Sequence, residues 1–242
     1  MNRIILLLFG AGVMIFLPLS CSTGDDGNQD TIYIVPSGAV SEYIATSVSS
    51  AAGGINDHLE NAAVLAGRNY SSGVMSDSSF IHQQADTSAK IKYNYNVNYS
   101  FGRTNTSPPK FILNYDADGW FTGPLVNSSG NLTGQDTITG LDTVSAYYLL
   151  HGTGDGGGSQ ESKHYNVPFT STFRATFNNV VLDKVSHMVV SGSATLTASG
   201  RGPASISFSY NGILTFLGNR LATLVFNGKT YQVDLTTATI TE

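Results

Sequence analysis

The chain has 242 residues, a formal net charge of -5 and a charged fraction of 12%. Its basic residues are scattered, with no pair closer than Lys90 and Lys92, which excludes a nucleic-acid surface and a cationic stripe for anionic headgroups. The single cysteine, Cys21, permits no disulfide, so stability must come from a core, and a domain of roughly 210 residues can bury about 70% of its unfolded surface.

Met1-Asn2-Arg3 supplies a short basic start, Ile4 to Leu17 is almost wholly apolar, and Pro18-Leu19-Ser20-Cys21 ends in a small residue before the thiol. The run from Ile4 to Leu19 is about sixteen residues, interrupted by Gly10, Gly12 and Pro18, and falls short of the ~20 needed to span a bilayer. The segment resembles the signal peptide and lipobox of bacterial lipoproteins, with Pro18 standing where an aliphatic residue is usual. The resemblance covers the first 21 of 242 residues. It implies that residues 1–20 are removed, that Cys21 is acylated with diacylglycerol, and that the protein is held in the cell envelope by its acyl chains, at the outer rather than the inner membrane. Cleavage removes one charged residue, Arg3, and moves the formal charge from -5 to -6. One acyl chain anchors marginally, whereas two or three anchor stably. Residues 21–30 then read as the lipidated cysteine and an acidic tether, the nine residues after Cys21 having an rms reach of ~17 Å. Residues 31–242 read as one mostly β domain.

In chain order, Val40, Ile44 and Val48 recur every fourth residue after Ser37, and Ile55, Leu59, Ala62 and Ala63 recur similarly after Gly53-Gly54, with Asn56 or Asp57 as a cap. This predicts two short helices joined at a glycine junction, and a removable lid over aromatic residues from Ser37 to Ala66. Residues 67–87 show no period and read as a connection. From Ser88 the period becomes two. Ile91, Tyr93, Tyr95, Val97, Tyr99 and Phe101 alternate with polar residues, as do Phe169, Phe173, Phe177 and Val181, and then Ile206, Phe208, Tyr210, Leu214 and Phe216. Further strands are expected near 110–116, 144–150, 187–198, 221–227 and 230–235, with Asn227-Gly228 as a tight hairpin between the last two. Short connections and one wet face predict a mainly β, α+β fold: a curved antiparallel sheet or partly open barrel with two N-terminal helices packed on it.

Several short motifs carry possible chemistry. Asn114, Asp116, Asp118 and Gly119 match the first half of a calcium loop, but Leu125 holds the place of the bidentate glutamate, so a hairpin turn at Asp118-Gly119 is expected and metal binding is the weaker reading. Gly152, Gly154 and Gly157 match a dinucleotide fingerprint without the helix it requires, which predicts a glycine loop between strands and no cofactor. His58, His82, His151, His164 and His187 are spread singly, though His151 and His164 could meet across a hairpin. No nucleophile elbow occurs, so no catalytic residue is expected.

Twelve tyrosines and twelve phenylalanines supply a core. Tyr93, Tyr95, Tyr99, Phe173, Phe177 and Phe208 are also candidates to line an apolar or lipid-like ligand site between helices and sheet. That arrangement is similar, at the level of fold alone, to lipoprotein carrier proteins of the bacterial envelope. The first expectation is therefore a lipid-anchored, non-catalytic binding module for an apolar ligand. The competing one is a surface structural or adhesive domain whose neutral Ser/Thr/Asn face meets a glycan or an envelope protein. A groove between the helices and the sheet would favour the former, a filled core with an exposed tyrosine patch the latter.

Overall fold

The alternation that marks residues 91–101 as a strand extends through most of the chain. The computed structural model describes residues 34–72, 76–86, 90–104, 106–142 and 144–242; Cys21 and the tether lie outside them. Helices α1 (Ser37–Val48) and α2 (Ile55–Ser72) precede strands β1 (Ser76–Asp86), β2 (Lys92–Arg103), β3 (Phe111–Thr122), β4 (Val126–Thr139), β5 (Tyr147–Ser162) and β6 (Val167–Asp183). The chain continues through β7 (Val189–Arg201), β8 (Ser207–Gly218), β9 (Leu221–Phe226), β10 (Lys229–Asp234) and β11 (Thr239–Thr241). Each strand pairs antiparallel with the next, giving an 11-stranded sheet with β1 and β11 at its edges. The β9–β10 turn is Asn227-Gly228, both residues at positive φ, as the tight hairpin requires.

Flat, such a sheet would be about 48 Å wide, far too wide for two helices to cover. It curls instead. Helix α1 touches β4 and β5 on one side and β9 and β11 on the other, while α2 touches β4, β6 and β7. Polar ties reach further: Tyr210 Oη on β8 donates to the Val35 carbonyl at 2.9 Å, Ser49 Oγ donates to the Leu235 carbonyl at 2.6 Å, and Arg220 pairs with Glu60 at 3.1 Å.

The helices are thus enclosed by the sheet, and the expected lid becomes a core element. Helix α1 is buried all round, from Ala39 and Val40 through Glu42, Tyr43 and Ile44 to Val48, the pattern of a core helix rather than a covering one. Small side chains permit this: Ala39, Ala45, Ala52, Ala62, Ala63 and Ala66 are fully buried, so the sheet closes on helix backbone. The junction between the helices needs both its glycines. Gly53 is left-handed at φ 63 and a Cβ there would lie 2.8 Å from the Tyr93 ring, and a Cβ on Gly54 would run into the Ser47 carbonyl. Asn56 is no cap. Its amide donates within the helical insert, to Ser50 Oγ at 2.7 Å and Glu60 Oε1 at 3.0 Å.

Four further expectations are corrected. The stretch 67–87 is not a connection, since α2 continues to Ser72 and β1 follows. No turn forms at Asp118-Gly119, because Leu113, Tyr115, Ala117 and Phe121 keep the period of two through β3, and Gly119 faces inward beneath the Tyr95 ring. The glycine loop at 152–157 is the middle of β5. In β6 the register shifts between Asn178 and Val181, with Asn179 at φ 51, so Val180 and Leu182 turn inward and Val181 does not.

Candidate functional site

The inner face of β5 carries no side chain at Gly152, Gly154, Gly156 and Gly158, which pair with Asp136, Gly134, Leu132 and Gly130 of β4. The vacant volume is taken by rings from neighbouring strands: a Cβ on Gly154 would lie 2.7 Å from Tyr115 Oη, and one on Gly156 2.6 Å from Phe173 Cε1. The dinucleotide-like spacing is therefore a floor for aromatic rings. No helix N-terminus follows it to receive a phosphate.

A small cavity of about 50 Å³ lies between the helical insert and the sheet, lined by Tyr43, Ser47, Gly53, Gly54, His58, Tyr95 and Phe173 among others. Of the six aromatic candidates, Tyr95 and Phe173 line it. Tyr93 sits beside it over Gly53 and against Tyr95, with ring centroids 6.0 Å apart. Tyr99 is buried, with its hydroxyl 2.8 Å from His58 Nδ1. Phe177 is buried beneath Gly154, and Phe208 packs on Phe169 and Tyr210. The six therefore do not converge on one space.

Near the cavity the interior is polar. His58 stacks on Tyr115 at 5.2 Å, and burial lowers its imidazole to about 4. Asp136 is fully buried on the inward face of β4, and neither of its carboxyl oxygens has a hydrogen-bond partner; burial raises it to about 8. The Asp136 charge also helps to raise Tyr99 and Tyr115, after burial itself. Nothing in the sequence marked Asp136, because β4 is so rich in Ser, Gly, Asn and Thr that its inward face carries little apolar signal.

The remaining candidates lie apart. Asn114, Asp116 and Asp118 all point outward from β3 in steps of about 7 Å, so they line a strand instead of wrapping an ion. Among the described residues no group of three or more His, Cys, Asp or Glu could hold a metal ion. His151 and His164 do not meet: His151 lies in β5 opposite Thr137, whereas His164, beyond the far end of β5, places Nδ1 2.8 Å from Glu42 Oε1 of α1. The side chain of His82 lies outside the described residues.

A second concavity lies on the outer face. Gly157 points outward from β5, where a Cβ would lie 2.6 Å from the Ser171 carbonyl oxygen, and a groove of about 740 Å³ runs over β3–β7. Asp118, Asn131, Thr172 and Ser199 stand in register with Gly157 across those strands. Thr133, Asp155, Arg174 and Thr197 form the next row, with Arg174 3.3 Å from Asp155. Phe173 points inward, is buried against Tyr43, and borders both the groove and the inner cavity. Sequence reading missed this groove because it exists only once five strands are in register. No protein-family model, curated protein or solved structure significantly matches the chain.

Proposed function

We propose that the protein is a lipid-anchored, non-catalytic domain of the cell envelope that meets its partner on the outer face of the curled sheet, over Gly157. The observation that carries this reading is one of space. The insert leaves about 50 Å³ inside, against roughly 300–1,000 Å³ for small-molecule sites; a concavity of about 750 Å³ beside Arg68, Tyr148 and Lys184 is as large as the outer groove of about 740 Å³, but the outer groove sets hydroxyl, amide, carboxylate and guanidinium groups in register across five strands. The anchor is supported by the hydrophobic run that ends at Cys21. Binding of an apolar ligand inside the sheet is the second reading, favoured by Tyr95 and Phe173 on the cavity wall at the Gly53-Gly54 junction.

Full-length protein added to isolated cell envelopes separates the two. Outer-face binding gives saturable retention that is lost when Thr133→Cys is coupled to a maleimide polymer. Retention that survives this block, together with saturable uptake of N-phenyl-1-naphthylamine, contradicts it. The anchor has its own test: Cys21→Ser is expected to abolish palmitate labelling and yield an uncleaved precursor or a released form, and a variant that labels and sediments with membranes as wild type does would refute the assignment.

A further inference from the structure

We infer that the groove over Gly157 is a binding site for a neutral oligosaccharide lying across β3–β7, a claim that rests on the outer-face reading and gives it a ligand class. The register row from Asp118 to Ser199 crosses five adjacent strands, a span of about 19 Å, long enough for several sugar units. Along it and in the row beside it the walls alternate acceptors with donors: the Asp118 and Asp155 carboxylates, the Asn131 amide and the Arg174 guanidinium. Sugar hydroxyls both donate and accept, so vicinal pairs match carboxylate and guanidinium forks. Apolar surface is placed where a sugar ring needs it. Trp120, the only tryptophan of the chain, stands 44% exposed on the same face of β3 about 7 Å beyond Asp118.

Other ligands fit less well. Two carboxylates against one guanidinium disfavour a polyanion. An extended peptide binds by adding to a sheet edge, but β3–β7 are internal strands, paired on both sides. The hydroxyls already engaged at the groove, such as Thr172 with Ser199 at 3.3 Å, are exposed and can exchange partners.

Trp120 reports the test directly. Full-length protein is titrated with chitohexaose, maltohexaose and mannohexaose while tryptophan emission is followed, with isothermal calorimetry as a second readout. The expected result is a saturable change with at least one of them, with Kd raised at least tenfold in Asp155→Ala and in Arg174→Ala and unchanged in Ile213→Ser, on β8 outside the groove. The inference is overturned if none of the three gives a saturable response, or if the groove variants bind as wild type does. Groove-dependent retention on envelopes without oligosaccharide binding would sink the ligand class alone, whereas retention that is absent from the start or survives the Thr133→Cys block would sink the outer-face reading beneath it.

Discussion

Asp136 sits in an environment that its chemistry disfavours. A buried carboxyl without a partner is held protonated, because ionising it in the core costs more than retaining the proton. Between about pH 4 and about pH 8 the folded protein keeps a proton that the unfolded chain has released, so Asp136 makes the fold less stable as pH rises through that window. His58 acts in the opposite sense. Its folded imidazole titrates at about 4 against 6.5 in the unfolded chain, so its contribution rises with pH between those values. The two slopes offset each other up to pH 6.5, and above it the Asp136 slope stands alone. We predict a loss of about 1 kcal/mol between pH 6.5 and pH 8, the limiting slope of about 1.4 kcal/mol per unit being halved as the carboxyl reaches its midpoint, measured by urea denaturation and absent from Asp136→Asn. A variant that loses stability as steeply as wild type would place the titrating group elsewhere.

At the scale of elements, the inner glycines are as much a part of the core as the rings above them. A Cβ on Gly134 of β4 would run into the Tyr115 ring, itself sandwiched against His58. Gly134→Ala is therefore expected to cost 1–3 kcal/mol, the usual range for overpacking, read as a lower urea midpoint with unchanged slope; an unaltered midpoint would show that Tyr115 has room to move. The same glycines explain which elements could be read from sequence. Strand β2 was legible because Tyr93, Tyr95, Val97 and Tyr99 alternate with Lys and Asn, and the helices because Val40, Ile44, Ile55 and Leu59 hold helical spacing. Strand β4 was not, since its inward positions include Ser128, Gly130 and Gly134, the last filled over by Tyr115 of β3 and the other two facing the small cavity. Asp118-Gly119 was misread for a related reason. Turn chemistry is local, whereas the need for a glycine beneath Tyr95 is set by a strand more than twenty residues away. Of the candidate site, inward aromatics such as Tyr95 and Phe173 were legible, but the outer groove depends on a register no single segment encodes.

At the scale of the molecule, the sheet and the insert stabilise one another. The concave face presents rings such as Tyr99, Phe111, Phe177 and Phe226, all buried, and the insert meets them with alanines plus a few long residues, of which Tyr43 packs edge-on against Phe169 and Phe173. Latches at both helices hold it: Ser162 Oγ donates to Glu42 at 3.3 Å, and Arg220 pairs with Glu60. On the proposed function, an interior filled in this way leaves the outer face to meet the partner, which requires that the insert stay on the sheet under native conditions. Native-state hydrogen exchange on the full-length protein, read by mass spectrometry across a urea series, measures this. Peptides from Ser37–Val48 are expected to exchange as slowly as those from Val167–Asp183, and with the same urea dependence, because both open only on global unfolding. Exchange of the helix at a clearly lower opening free energy, while the strand stays protected, would reveal a detachable insert over an accessible interior and contradict the outer-face reading.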